Sequence, residues 1–175
     1  MKLSRVEEMK LEIRNQKEEM IEIRIASMIK KFLENPGGYP DISAILKELA
    51  DLREGYLMIS YLRSSIVTES HGFHFGFYAE EPYVEADPDY VILKFPLLFE
   101  ETVKDMEVIG RLLRKKFIRI FSSELEEIRR DYLLSIYAES GRVFEKMLKT
   151  DDKEGKQKVY YGEYMGESII QIGII

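Results

Sequence analysis

The sequence predicts an α+β domain in which four helices, two of them long, pack against an antiparallel sheet built from two hairpins. Three observations carry this expectation. Apolar residues recur with a helical period over long stretches, the period shortens to two in the middle and at the end of the chain, and Pro- and Gly-rich punctuation separates the two kinds of segment. At 175 residues the chain fits one domain, spanning 1–175, and a domain of that length buries roughly 70% of its unfolded surface without staples.

The first helix is expected over 4–34. Ser4 and Glu7 have the spacing of a capping box, in which each side chain satisfies an amide of the first turn. Asn35-Pro36-Gly37-Gly38-Tyr39-Pro40 then stops the helix, because two fixed φ angles and two missing donors fall in six residues. Val6, Met9, Ile13, Gln16, Met20, Ile23 and Ser27 are spaced alternately by three and four, the period of a helix lying lengthwise along another. The partner can belong to the same chain or to a second copy. Toward the distal half the stripe drifts to Ile21, Ile25, Met28, Ile29 and Phe32, so that half is expected in the core, with the proximal half free to project.

Asp41 suits the cap of a second helix running to about Val67 through Ile42, Ile45, Leu46, Leu49, Leu52, Tyr56 and Ile59. Its turns from Tyr56 to Leu62 are apolar nearly all round, as in a central helix covered on several sides. From Phe73 the alternation of Phe73, Phe75 and Phe77 with His74, Gly76 and Tyr78 reads as a strand. A long acidic loop and a second strand, Tyr90 to Phe95, complete a hairpin that Pro96 ends.

A third helix is expected from Phe99 to Phe121, with Phe117 to Phe121 as a competing short strand. A fourth is expected from a Ser123/Glu126 capping box to about Leu148, with a kink at Gly141. Lys158 to Tyr164 and Ser168 to Ile174 form the closing hairpin, placed beside the first because either alone is marginal. The final run Ile169-Ile170-Gln171-Ile172-Gly173-Ile174-Ile175 is apolar on both faces and must be covered.

Composition bounds the chemistry. There is no cysteine, so disulfides, thiolate metal sites and thiol nucleophiles are excluded, which fits a cytoplasmic protein. No segment is apolar enough to serve as a signal peptide or to cross a membrane, and no membrane partner is expected. The net charge of −6 opposes general polyanion binding. Abundant Glu, Lys, Arg and Ile with few amides is a thermophile-like bias.

No catalytic, nucleotide or cofactor motif emerges, and no cofactor is expected. His71 and His74, with Glu69 and Glu80 nearby, are the candidate metal ligands, although a strand would send the two rings to opposite faces. Glu80, Glu81, Glu85, Asp87 and Asp89 lack the spacing of a calcium loop. Lys104, Arg111, Arg114, Lys115 and Arg119, with Lys116, form a basic stripe suited to phosphate groups. The leading expectation is therefore a non-enzymatic assembly protein, homodimeric through Val6, Met9, Ile13, Gln16, Met20 and Ile23. Nucleic-acid or phosphate-ligand binding through the basic stripe is the second, and a metal-dependent enzyme centred on His71 and His74 the third.

Overall fold

The computed structural model of the chain describes residues 3–50, 55–79, 89–148 and 157–175. The expected capping box is present: the Ser4 N–H donates to Glu7 at 2.6 Å and the Glu7 N–H to Ser4 Oγ at 3.2 Å. It starts α1 (Arg5–Glu12), which passes with a slight break at Ile13 into α2 (Arg14–Glu34). The Pro-Gly-Gly stop forms a single tight turn, Pro36–Gly38. The helices α3 (Ile42–Ala50), α4 (Arg63–Thr68), α5 (Pro96–Phe99), α6 (Thr102–Arg114), α7 (Ser122–Glu139) and α8 (Gly141–Met147) follow, interleaved with β1 (Tyr56–Tyr61), β2 (Gly72–Tyr78), β3 (Asp89–Lys94), β4 (Lys158–Glu163) and β5 (Ile169–Ile174).

The α+β class stands, and both expected hairpins form, β2 with β3 and β4 with β5. The expected second helix is corrected. Among its described residues the beginning, α3, and the end, from Arg63 into α4, are helical, while Tyr56 to Tyr61 between them is the central strand of the sheet. A fully buried strand is apolar on both faces, so its hydrophobic pattern does not distinguish it from a buried helix. The distinguishing signal is Gly55 at its entrance, where an added Cβ would lie 2.2 Å from the carbonyl oxygen of Tyr78 and 2.7 Å from the Phe77 ring.

This strand separates the hairpins, giving the order β3-β2-β1-β4-β5. It pairs antiparallel with β2 but parallel with β4, so the sheet is mixed rather than antiparallel. A parallel neighbour needs a long crossover, and the helices between β3 and β4 supply it.

The register puts Leu57, Ile59, Tyr61, Phe73, Phe75, Phe77, Val159 and Tyr161 on one face of the sheet. They share a single buried cluster with residues from every α-helix, including Met9, Ile25, Leu46, Ile66, Phe99, Ile109, Ile136 and Phe144. A column of rings runs through it: His71 stacks on Phe99 at 4.6 Å, Phe99 on Tyr137 at 4.5 Å, and Tyr137 on Phe73 at 5.1 Å.

The expected third helix also divides. Pro96 opens α5, α6 ends at Arg114, and 115–121 is neither helix nor strand. The fourth helix begins one residue before Ser123, with the Phe121 N–H donating to the Glu124 carboxylate at 2.8 Å. Glu126 instead holds Arg129 and Arg130, and the two guanidiniums keep its carboxyl down at about 2. The expected kink is real, since α7 gives way to α8 at Gly141. There a Cβ would approach the Tyr161 ring to 2.7 Å.

Candidate functional site

The N-terminal rod, α1–α2, does not project. Met9 and Ile13 are fully buried in the chain's own core, Val6 and Met20 pack half-buried against it, and only Gln16 and Ile23 face solvent. The partner that the seam spacing requires is α7 of the same chain. Polar flanks hold the two helices in line: Lys10 meets Glu127 at 3.0 Å, Lys17 meets Asp131 at 2.5 Å, and Arg142 beyond α7 meets Glu22 at 2.8 Å. Such exposed pairs set alignment more than stability.

The closing ribbon behaves differently. Its inner edge is paired with β4, and Gln157 and Ile175 exchange both backbone hydrogen bonds at 3.0 and 2.9 Å. In an antiparallel ladder such pairs alternate with pairs whose N–H and C=O point outward, so the peptide groups of Ile174 face away from β4. Among the described residues β5 is the outer edge of the sheet. Ile170 is 54% exposed and Ile169 and Ile174 are also open to solvent, with no charged residue from Ser168 to Ile175. Edge strands are ordinarily blunted by Lys, Pro or an inward charge. This one carries only a bulge, the register shift opposite Val159 and Tyr160.

The two histidines do not form a pair. His71 lies just before β2, on the helical side, with Nδ1 3.2 Å from the Tyr137 hydroxyl. Burial pushes its pKa below the usual imidazole value, against the opposing pull of Glu69, and holds the Tyr137 hydroxyl protonated well above its usual range. His74 points from the opposite face of the sheet, with ring centroids of Tyr90 at 4.9 Å and Tyr164 at 5.0 Å. It is only 4% exposed, burial depresses its pKa too, and its Nδ1 has no hydrogen-bond partner among the described residues. Gly76 makes room for this ring, because a Cβ there would meet His74 Cε1 at 2.6 Å. One metal ion needs both imidazoles within about 2.1 Å of a common point, and a sheet now stands between them. Among the described residues no three His, Asp or Glu side chains converge as a metal site. Of the acidic loop, Asp89 begins β3, and Glu80, Glu81, Glu85 and Asp87 lie outside the described residues.

Beside His71 is a cavity of about 140 Å³ lined in part by Glu69, Phe99, Thr102 and Arg129. Glu69 and His71 both adopt left-handed backbone, at φ 52° and 50°, a conformation that costs free energy and needs surrounding packing to hold it. The stacking of His71 on Phe99 and the 2.8 Å Glu69–Arg129 ion pair supply that packing. Arg129 is engaged by both Glu69 and Glu126, and with the His71–Phe99 stack and the His71–Tyr137 contact the arrangement fastens the β2 entrance to α5 and α7.

The basic stripe does not lie on one helix as expected: Lys104, Arg111 and Arg114 are on α6, while Lys115 and Arg119 fall in the loop after it. All five are exposed, and none forms an ion pair among the described residues. Their neighbour Lys116 is held by Glu12 at 2.5 Å.

Sequence inspection missed one polar centre. The Arg24 guanidinium on α2 donates to both carboxylate oxygens of the buried Asp105 on α6, at 2.8 and 2.6 Å. It also contacts Glu101, and the Tyr132 hydroxyl on α7 donates to Asp105 at 2.6 Å. Burial and the neighbouring Asp105 carboxylate raise the Tyr132 hydroxyl far above its ordinary pKa. Fully partnered, this cluster clamps three helices. No single element carried its signal, beyond the oddity of Arg24 and Asp105 on the inner sides of amphipathic helices.

No family model, curated protein or solved structure matches the chain. Fold and surface define an α+β protein whose described residues include an uncharged edge strand, β5, and a basic run along α6 and the loop after it.

Proposed function

We propose that this chain is an interaction protein that self-associates through the outer edge of β5, joining its five-stranded sheet to that of a second copy. The observation that carries this is an uncharged terminal strand at the sheet margin with Ile170 54% exposed. An unpaired strand edge is a row of donors and acceptors, and an identical edge related by a two-fold axis satisfies it antiparallel. Ile169, Ile170 and Ile174 add apolar contact across the axis. The N-terminal seam contributes little to such a dimer, because its buried members are spent within the chain.

Light scattering of the full chain across a concentration series tests this. A dimer is expected, and Ile170→Lys/Ile174→Lys is expected to be monomeric with an unchanged helical circular dichroism spectrum. A wild-type monomer at the highest concentration reached, or a double variant that stays dimeric, removes the proposal.

A further inference from the structure

The segment 115–121, between α6 and α7, combines charge and apolar exposure in a way that core packing does not explain. Phe117 and Ile120 turn inward against the core. Ile118 between them is 86% exposed, and Phe121 is also largely open. Arg119 holds a left-handed φ of 54°, which β-branched or bulky residues rarely adopt without restraint. The restraint comes from α1: the Arg5 guanidinium donates to the carbonyls of Ile118 and Arg119 at 2.8 and 2.9 Å and lies 5.7 Å from the Phe121 ring centre. Ile118 is thereby presented outward on a pinned loop.

In the last turns of α6 and the same loop lie Arg111, Arg114, Lys115 and Arg119, exposed and without ion-pair partners among the described residues. Cations at a helix C-terminus are favoured by the helix dipole, which accounts for Arg111 and Arg114 near the end of α6. The dipole gives no reason to continue the charge past the helix or to set an aliphatic side chain in its midst.

We infer that the end of α6 and the loop 115–121 form a docking surface for an anionic lipid bilayer, with Ile118 entering the headgroup boundary and the surrounding cations meeting lipid phosphates and carboxylates. Charge complementarity selects an anionic partner, and the protruding side chain selects among anionic partners. A nucleic acid rewards aromatic stacking platforms, and the exposed ring of this segment, Phe121, is engaged by the Arg5 guanidinium, whereas an isoleucine within a run of exposed Lys and Arg gains most from an interface that is anionic outside and hydrocarbon within. Among the described residues no helix is long and apolar enough to cross a membrane, so this contact lies on the surface.

Co-sedimentation of the full chain with vesicles tests the inference. Binding is expected to phosphatidylcholine vesicles containing phosphatidylserine, weakening with added salt, and not to phosphatidylcholine alone. Arg111→Ala/Lys115→Ala is expected to lower the partition coefficient by roughly tenfold or more at low salt. Ile118→Ser is expected to weaken vesicle binding severalfold, while both variants keep the wild-type circular dichroism and melting temperature. No binding to phosphatidylserine vesicles at low salt, equal binding by the variants, or binding to single-stranded RNA that Ile118→Ser leaves intact in the absence of vesicle binding, each overturns it. Self-association through β5 is read separately by light scattering, so either proposal can fail alone.

Discussion

The first helix and the last strand present the same problem to the chain, an apolar stripe longer than an isolated element can hide, and they resolve it in different ways. The rod α1–α2 lies along α7 and buries Met9, Ile13, Ile21, Ile25 and Met28. Among the described residues the ribbon β5 finds a partner on one side and keeps Ile170 at the margin of the sheet. A helix satisfies its backbone internally, so covering one stripe of side chains completes it. A strand needs a neighbour on each side, and the last strand of an open sheet lacks one. Apolar surplus in a helix is therefore consumed by folding, while the same surplus in a terminal strand is available for association.

The largest effect expected from this contrast is at Ile13. It is 2% exposed, so Ile13→Asp places an unpaired carboxylate in the core and is expected to cost more than about 4 kcal/mol, read from the urea midpoint. A stable variant whose only change is loss of a dimer would show that the rod faces a second copy. Next is Asp105→Ala, which leaves the Tyr132 hydroxyl without its acceptor and removes the bidentate partner of Arg24. It is expected to cost about 3–5 kcal/mol, and unchanged thermal unfolding would mean that the clamp does not hold α2 to α6.

A smaller effect concerns pH. Burial lowers the pKa of His74 and of His71 in the folded chain below the usual 6.5. The unfolded chain therefore takes up protons first as pH falls. Their contribution to stability is complete above about pH 6.5 and is lost progressively as pH drops toward the folded-state values. Denaturant titrations at a series of pH values should show this decline, and His74→Phe should flatten it. An equally steep profile in that variant would place the effect elsewhere. The smallest expected effect is Ile23→Asp, on the solvent side of the rod at 58% exposure. It should change stability by under about 0.5 kcal/mol and leave the light-scattering mass unaltered, whereas a fall in mass would return part of the interface to the seam.

The sequence by itself determined the features whose causes lie within one turn or one strand: the Ser4/Glu7 cap, the stop at Pro36–Gly38, the Gly141 kink and both hairpins. Cap, glycine, proline and alternation signals act over a few residues and survive whatever the rest of the chain does. It also marked the basic run, though the helix expected to carry it ends at Arg114 and leaves Lys115 and Arg119 in the loop. Only the tertiary structure decided that Tyr56–Tyr61 is a strand, since burial on both faces erases the periodicity that separates strand from helix. It likewise decided that the seam of α1 meets α7, that a sheet parts His71 from His74, and that Arg24, Asp105 and Tyr132 converge from positions 81 and 27 residues apart. Contacts of that kind depend on the path of the whole chain. A local pattern specifies which face needs covering, and the global packing chooses what covers it.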